Sequence, residues 1–195
     1  LCLLFMYKNY PILHLKREDW VYDRQFMKTH LHIAIPMALQ FSVLSLSMMV
    51  LQSVCNSFGA DVIAAFTAAL RIEQLATQPL LALGIAMATY SAQNWGAGKI
   101  KRIRRGVVIA GLTSLVISIL MSLAVRYVGE DMISVFLKED TPFIIATGKM
   151  YLSISTLFYF FLGMIFIFRN TLQGMGKALI PLIACVIELG ARSFS

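Results

Sequence analysis

The residues with most chemistry to offer are ionisable groups in apolar surroundings. Glu188 and Arg192 stand four apart and are the only charges beyond Lys177, so on a helix they share a face and can pair. Arg71 and Glu73 lie just before another apolar run. Such a group in hydrocarbon costs several kcal/mol unless it is paired or solvated. Each set therefore reads as a structural ion pair locking helices together, or as a titratable group in a cation or proton path. A second polar set is Ser42, Ser45, Gln52, Ser53 and Asn56. At 100° per residue these fall within an arc of about 100°, one stripe along a helix, with Gln40 and Ser47 on another face. Such a stripe serves helix packing or lines a wet cavity. Gln40, Ser45, Gln52, Asn56 and Glu188 are the candidate substrate or ion pathway. Arg71, Glu73, Glu188 and Arg192 are the candidate structural ion pairs.

Other chemistry is not supported. Residues 94–99, Asn-Trp-Gly-Ala-Gly-Lys, suggest a phosphate loop, but Ile100 follows the lysine where Ser or Thr is needed, and no strand precedes it. His14, His30 and His32 share one polar loop, away from any Asp/Ser partner set. Cys2, Cys55 and Cys185 are far apart in apolar surroundings, without metal-binding spacing, and read as small core hydrophobes. No catalytic residue and no metal site is expected. The net charge of +7 does not point to nucleic acid, because the cations lie between apolar runs.

The elements that must position these groups are membrane helices. Hydrophobic residues make up 58% of the 195 and charged residues only 14%, where a soluble domain carries about a quarter charged. Residues 33–55, 75–98, 106–125 and 150–168 contain no charge, each close to the roughly 20 apolar residues that cross the hydrocarbon core. The expected fold class is all-α, a polytopic transmembrane helical bundle with spans at about 33–56, 61–98, 104–128, 142–173 and 178–195. Residues 1–7 read as the tail of a preceding span, and 8–32 as a cytoplasmic loop. The chain opens without an initiator methionine and closes inside an apolar run, so we expect a piece of a longer polypeptide.

Punctuation is clear along the chain. Ser57 to Ala60 reads as a tight turn, with Asp61 placed to cap the next helix. That helix can run about 35 residues, roughly 50 Å, to the stop at Gly96-Ala97-Gly98. Residues 131–137 read as a short interfacial helix. Glu139-Asp140-Thr141-Pro142 is a helix start, and Gly174-Met175-Gly176 a helix stop. Pro36 and Pro79 can each bend a span and free carbonyls, as at transporter substrate sites. Alternating the loops puts twelve Lys and Arg on one side (Lys8, Lys16, Arg17, Arg24, Lys28, Lys99, Lys101, Arg102, Arg104, Arg105, Arg169, Lys177) and Arg126, Lys138 and Lys149 on the other. The basic side is therefore expected in the cytoplasm, in an inner or plasma membrane.

Three motifs in order resemble one family. They are Gly84 through Gln93-Asn94-Trp95-Gly96-Ala97-Gly98-Lys99 before a basic run; Arg169-Asn-Thr-Leu-Gln173-Gly174-Met-Gly176-Lys177 followed by Ile-Pro-Leu and Glu188-Leu-Gly-Ala-Arg192; and Gln52-Ser-Val-Cys-Asn56-Ser-Phe-Gly59. This set is similar to the multidrug and toxic compound extrusion family, in its bacterial branch, over nearly all of 17–195. The resemblance implies a truncated carboxy-terminal six-helix lobe of a twelve-helix transporter, whose missing amino-terminal half is a partner along with the lipid bilayer. It implies an antiporter expelling organic cations or xenobiotics, drug-like small molecules, in exchange for H+ or Na+, with no cofactor besides that coupling ion. It carries over no coupling residue. In many bacterial members the coupling carboxylate sits on the first helix of the other half; in others it sits on the seventh helix, where this sequence has Gln40 and Gln52. The alternatives are a lipid-linked oligosaccharide flippase of the same architecture, which a cationic cavity would favour, and a membrane-embedded sensor or enzyme, which would need clustered His, Asp or Ser at membrane depth.

Overall fold

The computed structural model describes Phe5 and residues 22–136 and 142–194. The expected helix tail in 1–7 apart from Phe5, loop residues 8–21, Lys138, and the helix start at 139–141 lie outside the described residues, as does the side chain of Arg192. Among the described residues the elements are α1 (Arg24–Asn56), α2 (Ala60–Gly96), α3 (Ile100–Phe136), α4 (Pro142–Leu157), α5 (Tyr159–Gly174) and α6 (Leu179–Phe194). Three are long and apolar enough to cross a membrane, over Arg24–Asn56, Asp61–Gly96 and Ile100–Gly129; α4 and α5 together make a fourth, bent by 53°. Leu179–Ala191 is a shorter apolar helix. The chain is an all-α, multi-pass membrane bundle.

Local chemistry explains the helix ends. Asp23 caps α1, its carboxylate accepting from the backbone N–H of Gln25 at 2.8 Å and of Phe26 at 3.3 Å. The α1–α2 turn corrects one expectation. The N-cap of α2 is Gly59, with φ of 96°, and Asp61 lies within the first turn without making a side-chain cap. There its charge still favours the positive helix end.

The stops of α2 and α5 are one motif used twice. Gly98 (φ 68°) and Gly176 (φ 78°) are left-handed, a conformation cheap only without a Cβ. Gly98 N–H donates to Trp95 O and Lys99 N–H to Asn94 O; Gly176 N–H donates to Gln173 O and Lys177 N–H to Leu172 O, all at 2.8–3.0 Å. This pattern closes the orphan carbonyls of a helix end. Each stop is followed by a lysine, which complements the negative end of the helix, and Lys177 Nζ lies 5.8 Å from the centre of the Trp95 ring, tying the two turns together.

Helix α2 is the axis of the bundle, packed against α3, α4 and α5. Its buried residues Ala65, Ala68, Ala69, Ile72, Ala76 and Leu80 recur at helical spacing and are mostly small, which lets backbones approach closely. They meet Val125 and Ile133 of α3, Leu152 of α4 and Tyr159 of α5. Toward the glycine stops, Met87, Ala110 and Ile167 form a second core. By contrast α1 packs chiefly on α6 and only lightly on α2.

Three expectations change here. Both α1 and α2 run unbroken through Pro36 and Pro79; the sharp bend comes instead at Phe158, where no proline stands. Just before it, Ser153 Oγ donates to Met150 O and Thr156 Oγ1 to Ser153 O, and such back-bonding loosens and bends a helix. Lastly, α3 continues to Phe136, so 131–136 extends the third span helix instead of forming a separate interfacial turn. Gly129, two residues before this stretch, packs on Val125 and Leu152, holding the base of the extension against the bundle.

Candidate functional site

Two polar groupings bridge helices. In the first, Gln40 of α1 is fully buried and reaches Arg169 and Gln173, which stand four apart on one face of α5. An amide NH2 turned toward a guanidinium would set donor against donor, so the Gln40 oxygen belongs on the arginine side. There it accepts from Arg169 Nε at 2.6 Å and Nη2 at 3.2 Å, and its nitrogen lies 2.7 Å from the Gln173 amide. Cys185 Sγ of α6 is 3.4 Å from the guanidinium-facing end of the same amide. The Phe41 ring lies 5.6 Å from the guanidinium carbon, close enough for a cation–π contact. One buried amide thus joins α1 to α5 and α6 near the glycine stop of α5.

Gln40→Leu is expected to destabilise by about 2–3 kcal/mol, because it strips a half-buried guanidinium of a charge-assisted partner. Adding Arg169→Met should recover much of that loss, since removing both partners is often nearly neutral. A thermal-melt double-mutant cycle in detergent measures the coupling. Strictly additive losses would show that the two side chains do not interact.

The second grouping joins α2 and α4. Tyr151 Oη donates to Glu73 Oε2 at 2.7 Å, and the Tyr151 ring meets Phe66 edge to face with centroids 5.3 Å apart. Glu73 is half-buried, while Arg71, two residues earlier, is exposed; residues two apart do not face each other on a helix. Glu73 therefore looks across to α4. The bend at Phe158 lies two turns beyond Tyr151 on the chain that receives this contact.

The candidate pathway residues are not brought together. Gln40 and Ser47 are buried, whereas Ser42, Ser45, Ser53 and Asn56 are exposed and Gln52 is half-buried. Ser45 Oγ donates to Phe41 O at 2.9 Å, and Gln52 Nε2 to Asn56 Oδ1 at 3.2 Å, so the stripe is satisfied along its own helix. Among the described helices it is thus the opposite face of α1 that turns inward. Glu188 is exposed on α6. Of the turn residues, Asn94 is buried and donates to Tyr90 O at 2.8 Å, Gln93 is exposed, and Gln173 joins the Gln40 cluster. Sequence reasoning missed Arg169, counted there only as a loop charge, and Tyr151. The spacing of Arg169 and Gln173 was a usable signal; nothing local marked Tyr151, which lies 78 residues from Glu73. Among the described residues no group of three His, Cys, Asp or Glu could hold a metal ion.

Comparison with known proteins places this arrangement. The MatE family matches residues 36–192. The chain is 32% identical over 158 residues to the probable multidrug resistance protein YpnP of Bacillus subtilis (strain 168), covering 81% of this chain and 35% of that protein. It is 25% identical over 163 residues to the probable multidrug resistance protein NorM of Thermotoga maritima, covering 83% and 34%. It is also 25% identical over 158 residues to an FAD transporter of Shewanella oneidensis, covering 81% and 34%. The chain spans about a third of the length of these curated relatives. With its apolar spans and paired glycine stops inside the matched region, the chain belongs to the MatE family of membrane transporters.

Proposed function

We propose that this chain is the carboxy-terminal-half portion of a cation-coupled efflux antiporter that exports organic cations or other xenobiotics in exchange for H+ or Na+ by alternating access. The amino-terminal half supplies the other wall of the cavity, the basic loops face the cytoplasm of a plasma membrane, and no cofactor is needed besides the coupling ion. The work is transport, not catalysis. The family of the chain and the multidrug resistance names of two relatives support the transport class.

The observation that carries the coupled reading is the Glu73–Tyr151 contact. Glu73 lies 22 residues before Trp95, about 33 Å along α2, so an ion arriving from the face opposite the basic loops meets it early. As a bare carboxylate it accepts a charge-assisted bond that ties α2 to α4. Neutralised by a proton or engaged by a cation, it holds Tyr151 less strongly. The bent α4–α5 pair is then freer to change its angle, and ion binding biases one conformation over another.

Arg169 favours a second reading, in which the substrate is anionic, as for a flippase or for a carrier like the FAD transporter among the relatives. Its half-buried guanidinium is the only cation in the Gln40 cluster among the described residues.

Efflux of a fluorescent organic cation from cells expressing the full-length transporter, with an inward Na+ gradient, an inward H+ gradient, or neither, tests the proposal. One gradient should accelerate efflux on the order of tenfold. Gradient-independent efflux would refute coupling, and transport of anionic but not cationic dyes would select the second reading.

A further inference from the structure

A groove of about 750 Å³ runs between α3 and α4, on the membrane face opposite the basic loops. Its lining includes Arg126, Lys149, Ser122, Ser153 and Thr156 among apolar side chains such as Leu123 and Leu157. Its depth follows from α3. Arg126 lies 21 residues beyond Arg105, the last residue of the basic run, about 31 Å along the helix. That matches the roughly 30 Å thickness of the hydrocarbon core and puts Arg126 at the far headgroup level. Tyr127, 78% exposed, stands beside it, as interfacial aromatic residues do. Lys149 is at least as far out, because its neighbour Gly148 packs on Ile133 of α3.

Deeper in, the polar character fades. Ser122 Oγ donates to Thr156 O at 3.0 Å, Ser153 Oγ to Met150 O at 3.1 Å, and Thr156 Oγ1 to Ser153 O at 2.9 Å. Each hydroxyl proton is thus turned to a backbone carbonyl, and the inner wall presents carbon. The groove has a cationic mouth at headgroup level and an apolar floor within the hydrocarbon.

The geometry points to a binding site for one anionic phospholipid of that leaflet, its phosphate held by Arg126 and Lys149 and one acyl chain laid along the floor toward Leu157. Charge complementarity selects an anionic amphiphile over a neutral lipid. The length of the floor selects a lipid over a small free anion, which would have no use for it.

The test uses the full-length transporter in nanodiscs containing phosphatidylcholine with a minor share of phosphatidylglycerol, followed by native mass spectrometry. The wild type should retain phosphatidylglycerol in preference to phosphatidylcholine. Cations at this level contribute roughly fivefold each, so R126Q/K149Q should weaken retention roughly 25-fold. Ser153→Phe, which fills the floor and leaves both cations in place, should weaken it as well and guards against misfolding of the charge variant. Equal retention of the two lipids, or retention unchanged in both variants, would overturn the site. So would a photo-crosslinker at Ser153 that captured another segment of the transporter instead of lipid. If the cations serve only to pair with acidic groups of the transporter itself, R126Q/K149Q would lower the melting temperature without changing lipid retention, and that too would overturn it.

Discussion

Glu73→Gln is expected to leave the full-length transporter at near-normal abundance while removing the gradient-dependent part of efflux. Glutamine has the size of glutamate, and its carbonyl still accepts the Tyr151 hydroxyl across α2 and α4. The structural loss is therefore the difference between a charge-assisted and a neutral hydrogen bond, on the order of 1 kcal/mol. The functional loss is larger, because an amide neither carries a proton in exchange nor balances the charge of a bound cation. If Glu73 is the coupling group, the whole ion-linked bias goes with it, on the order of tenfold or more in efflux rate under a gradient. Tyr151→Phe separates the roles. It keeps the charge and removes the donor, so it should lower stability more than E73Q while retaining gradient dependence. The measurement is initial efflux rate per transporter copy, with copy number from immunoblots. If E73Q keeps its gradient dependence and merely lowers abundance, Glu73 is a structural tie and the coupling group lies elsewhere.

The largest expected loss of stability comes from Gly174→Ala. Gly174 closes α5 directly against α2, where a Cβ would overlap the carbonyl oxygen of Ala88 and the backbone atoms beside it. A flexible side chain could step aside, but a helix backbone moves only if the two helices separate. Overpacking of this kind costs about 1–3 kcal/mol, occasionally more, and the backbone identity of the obstacle places Gly174 at the top of that range. Gly84, on the same seam, is tight as well: its Cβ would lie 2.9 Å from Asn170 Nδ2, 3.0 Å from Phe166 Cβ and 3.1 Å from Phe166 O. Gly190 provides the control, because nothing lies within 4 Å of an added Cβ and alanine favours the helix by up to about 1 kcal/mol. Thermal unfolding in detergent should rank the variants G190A, G84A, G174A from most to least stable. A G174A protein melting with the wild type would mean that α2 and α5 do not meet as closely as described.

These seams also show where sequence reasoning stops. Charge-free runs were readable because a bilayer excludes unpaired charge from its core, so the apolar middles of the long helices follow from composition, whereas the start of α1 at Arg24, inside the segment expected as a loop, does not. Helix stops were readable because a left-handed residue is cheap only for glycine, which marks Gly98 and Gly176 wherever the rest of the chain goes. The three ordered motifs carried the family for the same reason, being built on those turns.

The facing of each helix belonged to the tertiary structure. Periodicity on α1 separated the stripe of Ser45, Gln52 and Asn56 from the face of Gln40 and Ser47, but lipid is as apolar as a protein core and no contrast with water marks which face is inner. Packing of α1 on α6, with Arg169 and Gln173 of α5 reaching across, decided it and buried Gln40. Likewise Glu73 was visible as a charge near a span end, but its partner could have been any donor at that depth. Tyr151 became that donor only when α4 folded back along α2.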